Sequence, residues 1–335
     1  MNKSGSAMLD LLLGATKSHV TYCVAQLDIV DYLSEKPMTA EQLAVITSTN
    51  NELLYRLLRA AVSIGLLIEN EENQFSVTEL GSTLKTGGEQ CMKHACKILV
   101  NGELTPLPIS KLLYRLNKEE ACIDNELSYF EKAETDPNFI ITLHENINEF
   151  DQLFMTHLLI SDYDYSKFKH IIDVGGGLGK CLINILKKTP QSRGTIVDLP
   201  SVIQFAKQNI ERSCVKERCR AVVGDFFSSI PDDSDCYILK FIIQDWCDEQ
   251  ALKILKNVRK SMKNKNCTLL VMEFIKKGTE PNVLDLIDIL MFTLMFGKER
   301  SKVQFEKLFE KASFEIKNVI DFNPSPMKII EVEPV

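Results

Sequence analysis

Four acidic residues in the second half of the chain each stand at the end of a short apolar segment. They are Asp173 in HIIDV, Asp198 in GTIVD, Asp225 in AVVGD and Glu273 in LLVME. If these segments are parallel strands, their carboxyl ends meet at one edge of a sheet, which is where open α/β sheets bind their ligands. The four acids are therefore candidate ligand-binding residues.

A glycine-rich turn follows the first of these segments. The stretch DVGGGLGK has glycines at 175, 176, 177 and 179. Glycine lets the backbone turn sharply and come close to a ligand. A dinucleotide fingerprint needs glycine at the first, third and sixth places, but the sixth place from Gly175 is Lys180. The spacing is less suited to a pyrophosphate and closer to that of proteins that bind S-adenosylmethionine.

The next two strand ends carry groups that suit a nucleoside. Asp198 and Leu199 lie about 20 residues after the glycine turn, where a carboxylate accepts hydrogen bonds from both ribose hydroxyls. Asp225 and Phe226 follow in GDFF, and an acid beside an aromatic ring suits the amine and the ring face of adenine. The sequence therefore predicts a nucleoside-binding site at this edge.

The fourth predicted strand, CYILKFIIQDW, runs into the stretch FIIQDWCDEQ, residues 241–250. This stretch holds Trp246, the single tryptophan of the chain, and a neutral amide, Gln244. An amide donates and accepts hydrogen bonds but cannot take a proton at neutral pH. Proton removal by residue 244 itself is therefore excluded.

These positions require a doubly wound, Rossmann-like α/β sheet, which we assign to a catalytic domain at 166–335. The first part of the chain predicts helices over residues 8–35, a helix start at Thr39 and a helix from Asn51 to Gly65. The stretch LLIENEENQFSVT predicts two strands around an acidic turn. This order is that of a winged helix, so we expect a mostly helical winged-helix dimerisation domain at 1–100 and a helical bridge to the substrate pocket at 101–165.

Charge and composition limit the partners. The net charge of −7 and the acidic predicted wing argue against nucleic-acid binding, which needs a basic face. We expect a cytoplasmic homodimer with a small-molecule substrate and no membrane contact. Cys91 and Cys96, with His94 between them, lack the spacing of a zinc site, as do Cys214 and Cys219, so no metal is expected.

The quoted stretches together resemble a known family. From about residue 15 to 330 the chain is similar to S-adenosylmethionine-dependent methyltransferases of the acetylserotonin and caffeate O-methyltransferase type. The similar stretches of the first domain are AQLDIVDYL, TAEQLA, LYRLLRAAVSIGLL and FSVTELG. Those of the second are DVGGGLGK, VDLP, GDFF, LKFIIQDWCDE and GKERS…FEKLFEKASF. The resemblance implies O-methylation, S-adenosylmethionine as cofactor and dimerisation through the first domain.

The resemblance also implies cofactor contacts. Gly175 and Gly177 would approach the methionine part, Lys240 would hydrogen-bond near the cofactor, and Trp246 would pack on the adenine side. The predicted cofactor-binding residues are Asp173, Gly175, Gly177, Asp198, Leu199, Asp225, Phe226, Lys240 and Trp246.

One position departs from the family. Where the family segment LKxxLHDWxDE has a catalytic base histidine, this chain has Gln244. Glu273 and Glu299 match the acids that flank and orient that histidine. The predicted catalytic residues are therefore Gln244, Glu273 and Glu299.

The missing histidine leaves several reactions open. The acceptor could arrive ionised, as a hydroxyquinone, an enolic ketone or a carboxylate does, or it could be an amine nitrogen or an enolate-like carbon. Another group could serve as the base, with Glu273, Glu299, His144 and His157 as candidates. Alternatively, the protein could use the bound cofactor without methyl transfer, in a rearrangement or pericyclic step, or be an inactive binding dimer.

The predicted substrate wall is apolar. LIDILMFTLMFG places Met291, Phe292 and Met295 near one helical stripe. Core packing explains such a stripe equally well. Phe154, Met155 and His144 precede the sheet, where the family lines its pocket. Thioethers and aromatic rings suit a flat, apolar substrate, so we expect a small aromatic or polyketide-like metabolite.

Overall fold

The computed structural model describes residues 3–100, 109, 112–116, 136–232, 234–263, 266–276 and 282–335. The chain divides into two compact units, Met1–Thr105 with Ile141–Leu153, and Pro106–Ile140 with Phe154–Val335. Part of the predicted bridge at 101–165 lies outside the described residues, and the domain boundaries at 100 and 165 stay predictions. Among the described helices, none has the length and apolar character that crossing a membrane requires.

The first unit contains the predicted helices and hairpin. The apolar periodicity of residues 8–35 corresponds to three helices rather than one. The helices of this unit are Lys3–Leu12, Gly14–Gln26, Ile29–Leu33, Ala40–Thr47, Asn51–Ser63, Glu79–Ser82, Lys93–Val100 and the part of Pro137–Leu153 from Ile141 onward. Strands β1 (Met38–Thr39), β2 (Leu67–Glu69) and β3 (Gln74–Val77) form an antiparallel sheet in the order β1-β3-β2.

Local sequence signals set the helix ends of this unit. Thr39 and Gln42 form a reciprocal capping box, with backbone-to-side-chain distances of 2.9 and 3.3 Å. Asn50 caps the next helix by accepting the Leu53 N–H at 3.0 Å. Gly65, with φ +82°, follows this helix in the left-handed conformation that glycine adopts without strain. The helix starts and the hairpin predicted from the sequence are confirmed, and β1 is an addition.

The second unit is built on a seven-stranded sheet with the order β6-β5-β4-β7-β8-β10-β9. Its strands are β4 (His170–Val174), β5 (Arg193–Asp198), β6 (Cys219–Val223), β7 (Cys236–Lys240), β8 (Thr268–Glu273), β9 (Phe314–Phe322) and β10 (Ser325–Pro334). Strands β4 to β8 are parallel, and the β9–β10 hairpin adds to the β8 edge in antiparallel fashion. The predicted α/β fold is confirmed, while the hairpin was not predicted.

Two apolar layers cover the faces of this sheet. On β7, Tyr237 and Leu239 enter one core cluster, and Cys236 and Ile238 enter the other, as the two-residue period of a strand requires. Burial on both faces explains why the parallel strands read as continuous apolar runs. The helices of this unit are Leu112–Leu116, His157–Ser161, Lys180–Lys188, Pro200–Glu211, Asp248–Ser261, Val283–Met295 and Lys302–Lys311.

The fourth predicted strand ends earlier than the sequence suggested. β7 stops at Lys240, Phe241 has a φ of +55°, and Ile243–Asp245 form a short 3₁₀ helix. The prediction that FIIQDW continues the strand was wrong because the Glu273 carboxylate, rather than a neighbouring strand, accepts the backbone N–H groups of Ile243 and Gln244, at 2.6 and 3.1 Å. Ile242 and Ile243 belong to the core although they lie in a turn, which explains why this stretch resembles a buried strand in the sequence.

The carbonyl groups of this turn, residues 243–246, accept hydrogen bonds from Lys298 and Arg300. The guanidinium of Arg300, which is 1% exposed, donates to the Ile243 carbonyl at 2.7 Å and to the Trp246 carbonyl at 2.8 Å. The Lys298 N–H donates to the Gln244 carbonyl at 2.7 Å. Residues 297–300 therefore fix the backbone of the turn.

We predict that Gly297→Ala destabilises the second unit. A Cβ atom at position 297 would lie 2.2 Å from the Gln244 carbonyl oxygen and 3.0 Å from the Asp245 Cα, and backbone atoms cannot move aside as a flexible side chain can. Overpacking of this kind costs ~1–3 kcal/mol of unfolding free energy, measurable by denaturant titration or as a lower Tm. Gly14→Ala is the control, because none of the described atoms lies within 4 Å of a Cβ there. Equal stability of the two variants would contradict the prediction.

Candidate active site

The glycine-rich turn after β4, residues 175–179, is left-handed at three positions and is called the cradle below. Gly175, Gly177 and Gly179 have φ angles of +69°, +56° and +79°, which side-chain-bearing residues rarely adopt. A Cβ at Gly175 would lie 2.5 Å from the Ile242 Cδ1 and 3.5 Å from a Phe226 ring carbon. Glycine is therefore required at this position because the Ile242 side chain packs directly against the turn, with the Phe226 ring beside it.

Asp173 supports this turn from below. It is 1% exposed, and a Cβ at Gly176 would meet its carboxyl carbon at 2.8 Å. The predicted direct contact of Asp173 with a ligand stays a prediction, and the geometry gives this residue a position behind the turn.

Asp198 ties the turn to the end of β5. Its two carboxylate oxygens accept the Gly177 and Leu199 N–H groups, each at 2.7 Å. Burial raises the pKa of this carboxyl to about 6, although both backbone hydrogen bonds oppose the shift. The orientation of Asp198 is therefore fixed at the edge of the sheet, next to the cradle.

Aromatic rings surround the far side of the cradle. The Trp246 ring meets the Phe226 and Phe227 rings edge to face, with centroid distances of 5.9 and 4.6 Å. The Asn257 amide donates to the Phe226 carbonyl at 2.8 Å and so holds this loop. Phe227 and Asn257 were missed by the sequence analysis; the doublet in GDFF is a signal for the first, and nothing local indicates the second.

Asp225 uses its carboxylate within its own turn. One oxygen accepts the Phe227 N–H at 2.8 Å and the other accepts the Ser228 hydroxyl at 2.6 Å. Asp225 thus orients the Phe226–Phe227 pair. Lys240, at the end of β7, has its ammonium 4.8 Å from the Phe241 ring centroid. Direct ligand contacts of Asp225 and Lys240 remain predictions.

Gln244 is buried, with an exposed fraction of 9%. Its side-chain oxygen has no hydrogen-bond partner among the described residues, and its amide nitrogen lies 4.0 Å from the Met291 sulfur. A buried amide oxygen without a partner costs free energy, so such a group is a candidate to bind a ligand. The backbone of Gln244 is fixed by neighbours, but its acceptor atom stays available.

Three buried carboxyls surround this amide. Burial raises the pKa of Glu273 to about 7, and burial together with repulsion by Glu273 raises that of Glu299 to about 8. The pKa of Asp245 is raised well above its usual range by burial and by both glutamates. The Glu299 Oε1 atom, like the Gln244 oxygen, lacks a hydrogen-bond partner within the described part of the chain. At neutral pH Glu299 is therefore mostly protonated and Glu273 about half protonated, while burial also disfavours the charged form of Asp245.

The predicted substrate residues are only partly brought together. Met291 lies against Gln244, and Phe292, one residue further, borders a cavity of about 470 Å³. Phe154 packs edge to face on Phe274, next to Glu273, with centroids 4.8 Å apart. Half-buried Met155 and Met295 belong to the same unit, whereas His144 belongs to the first unit. The substrate contacts of Met155, Met295 and His144 stay predictions, and His157 is exposed.

Family comparisons cover both parts of the chain. The model of an O-methyltransferase domain matches residues 123–315, and that of an O-methyltransferase dimerisation domain matches residues 9–87. The chain is 31% identical over 332 residues to "Phenazine O-methyltransferase PhzM" of Lysobacter antibioticus, which covers 98% of this chain and 96% of that protein. It is 29% identical over 310 residues to "8-amino-8-demethylriboflavin N,N-dimethyltransferase" of Streptomyces davaonensis, covering 89% and 86%.

Solved structures show the same fold. LaPhzM matches with a TM-score of 0.90 at 30% identity, over 100% of both chains. Human N-acetylserotonin methyltransferase matches with a TM-score of 0.85 at 20% identity, over 100% of this chain and 98% of that chain, which supports the fold alone. The cradle, Asp198 and the aromatic rings thus lie at the edge of a sheet whose fold is that of known methyltransferases. The chain belongs to the S-adenosylmethionine-dependent O-methyltransferase family.

Proposed function

We propose that the protein methylates a hydroxyl group that is acidic enough to react as its anion, on a small, flat aromatic metabolite. The observation that carries this proposal is the buried Gln244 amide at the position of the family's base histidine. A glutamine cannot remove a proton, and general-base help is worth about 10²–10⁴-fold in rate. An acceptor that is already ionised does not need that help.

The residues around the cradle fit the cofactor. When bound, S-adenosylmethionine supplies an activated methyl group on a sulfonium, and transfer from it needs no metal. We assign the methionine part to the left-handed turn at Gly175 and Gly177, the ribose to Asp198, and the adenine to the rings of Phe226 and Trp246. Asp173, Leu199, Asp225 and Lys240 complete the proposed set. These side chains contribute alignment, which is the main requirement of an in-line displacement.

Gln244 has the groups to hold an anionic acceptor. Its amide N–H can donate to the phenolate oxygen, and its free Oε1 can accept from a neighbouring donor of the substrate. The raised pKa values of Glu273 and Glu299 reduce the negative charge of the nearby carboxyls at neutral pH, which weakens their repulsion of the anion. Gln244, Glu273 and Glu299 therefore form the proposed catalytic group, with Met291 as part of its apolar wall.

The names of the relatives favour an aromatic substrate. The relative from Lysobacter antibioticus is named for a phenazine, and another, 26% identical, is a mitomycin biosynthesis 6-O-methyltransferase of Streptomyces lavendulae. The thioether of Met291 and the ring of Phe292 suit a flat ligand. His144, Phe154, Met155 and Met295 are the remaining proposed substrate contacts.

A nitrogen acceptor is the second candidate. A neutral amine attacks through its own lone pair and needs no base beforehand, which also agrees with Gln244. The relative from Streptomyces davaonensis is named as an N,N-dimethyltransferase. The mass and fragmentation of the product distinguish oxygen from nitrogen methylation, and an isomerised product with unspent cofactor would indicate a reaction without methyl transfer.

We further propose a homodimer formed through the first unit. The dimerisation-domain match covers residues 9–87, and this part of the chain exposes apolar side chains such as Leu11, Leu12 and Val45. The proposed division is a dimerisation domain at 1–100, a helical bridge that contributes to the substrate pocket at 101–165, and a cofactor-binding domain at 166–335.

We predict that Asp198→Ala weakens cofactor binding. S-Adenosylmethionine that binds only the folded protein should raise Tm. A ligand concentration of 100 times Kd adds about 2.7 kcal/mol to the free energy of unfolding. Loss of the carboxylate removes the partner of the ribose, so the Tm shift of the variant should shrink. Asp232→Ala, at an exposed acid of the same unit, is the control and should keep the full shift. An unchanged shift in Asp198→Ala would contradict the assignment.

We predict that Gln244→Leu lowers kcat/KM by about 10–100-fold, because a hydrogen bond to a charged group contributes ~1.5–3 kcal/mol. The assay uses a series of phenols and hydroxyquinones of graded acidity, with product detection by mass spectrometry. Gln204→Leu, on an exposed helix face, should have no effect. Gln244→His should extend activity to weakly acidic phenols. Full activity of Gln244→Leu on acidic acceptors would refute the positioning role.

We predict that kcat/KM falls as the pH rises through about 8. Glu299 is neutral below its raised pKa of about 8, and its ionisation above that pH places a negative charge near the acceptor anion. Glu299→Gln stays neutral and should lose the part of the decline centred near pH 8, leaving any effect of Glu273 ionisation near pH 7, whereas Glu310→Gln, at an exposed position, should keep the whole decline. A rate that instead rises through pH 8 and is lost in Glu299→Gln would make Glu299 the base.

A further inference from the structure

Three side chains that can bind metal meet in the first unit, apart from the cofactor and substrate residues. The Cys91 Sγ, the His94 ring nitrogen and a Glu149 carboxylate oxygen all lie within 4.8 Å of one another. Sγ is 3.1 Å and Nδ1 is 2.8 Å from the same atom, Glu149 Oε1. Cys91, His94 and Cys96 were not expected to bind metal because they lack the spacing of a zinc site; the third group, Glu149, is 55 residues from His94 in the sequence.

Glu149 is held in place by the backbone. Its Oε2 accepts the Ala95 N–H at 2.7 Å, and its Oε1 accepts the His94 N–H at 3.0 Å, in the first turn of the helix Lys93–Val100. Glu149 is 5% and Cys91 is 7% exposed. Backbone support of this kind fixes a carboxylate before a metal arrives, as the outer partners of metal ligands do.

The separations suit a small tetrahedral ion. Zinc distances of about 2.3 Å to sulfur, 2.0–2.1 Å to nitrogen and 2.0–2.2 Å to oxygen place tetrahedral ligand atoms about 3.4–3.6 Å apart. The two pairs that share Glu149 Oε1 would need to open by about 0.5–0.6 Å, and the sulfur–nitrogen pair, which lies within 4.8 Å, would have to adopt the same range. A thiolate, an imidazole and a carboxylate form a donor set for a borderline-soft cation such as Zn²⁺ and not for Mg²⁺ or Ca²⁺.

We propose that Cys91 Sγ, His94 Nδ1 and Glu149 Oε1 bind one Zn²⁺ ion, with water as the fourth ligand. On binding, the S–H bond of Cys91 and the Nδ1–H bond of the His94 imidazolium break and both protons pass to solvent, leaving a thiolate and a neutral imidazole as ligands; no electron is transferred. The ion cross-links the helix Lys93–Val100 to the helix Pro137–Leu153, which also carries His144. Its proposed role is to hold these two helices together, while the water-bearing fourth position stays open.

The test uses the full-length protein after removal of metal by a chelator. We expect one Zn²⁺ per chain to be retained through gel filtration, a rise in Tm on zinc addition, and a thiolate-to-cobalt charge-transfer band when Co²⁺ is added instead. Cys91→Ser should abolish the band and weaken zinc binding at least tenfold. Cys96→Ser, five residues further along the same segment, is the matched control and should leave both unchanged.

The readout is binding, so it does not depend on the proposed methylation. If Cys91→Ser fails to fold, His94→Gln takes its place, because His94 is only half-buried. Substoichiometric zinc in the parent protein, absence of the cobalt band, or equal losses in Cys91→Ser and Cys96→Ser would each overturn the proposal.

Discussion

The site depends on how one buried charge is satisfied. The Arg300 guanidinium is almost fully buried, and a buried charge is stable only when its donors are used. They go to the Asp248 carboxylate and to the carbonyls of Ile243, Trp246 and Lys298. Glu273 accepts the N–H groups on the other side of the turn. The irregular backbone of this turn can persist inside the core because Glu273 accepts its N–H groups and Arg300 donates to its carbonyl groups.

This arrangement couples the two halves of the active site. Trp246 faces the aromatic rings beside the cradle, and Gln244, two residues earlier, lies against Met291. Both side chains project from one short segment whose backbone is fixed, so the spacing between the Trp246 ring and the Gln244 amide, the proposed cofactor and substrate sides, is fixed as well. With three acids and one arginine in the same region, burial favours the protonated acids, and the pocket avoids an excess of negative charge.

Local sequence patterns predicted the parts of the fold that depend on neighbours in sequence. The left-handed φ angles after β4 require glycine, so DVGGGLGK identified the turn, and Thr39 identified a helix start, whereas the Asn50 cap before the predicted helix at Asn51 was not recognised. Contacts between distant residues were invisible. Gln244 leaves the strand because of Glu273, 29 residues away, and Glu149 reaches His94 across 55 residues. The β9–β10 hairpin was missed because no motif had drawn attention to it.

The β9–β10 hairpin determines how late in synthesis the edge of the sheet at β8 can be completed. Strand β8, which carries Glu273, becomes an inner strand only when β10 pairs with it, and Lys328 is the residue opposite Glu273. β10 is synthesised about 50 residues after β8, so a nascent chain exposes a long apolar edge until it arrives. The Glu273 carboxyl group is thus among the last groups to reach its final surroundings. A chain released before β10 is complete would keep an unpaired, aggregation-prone strand edge and an incomplete site.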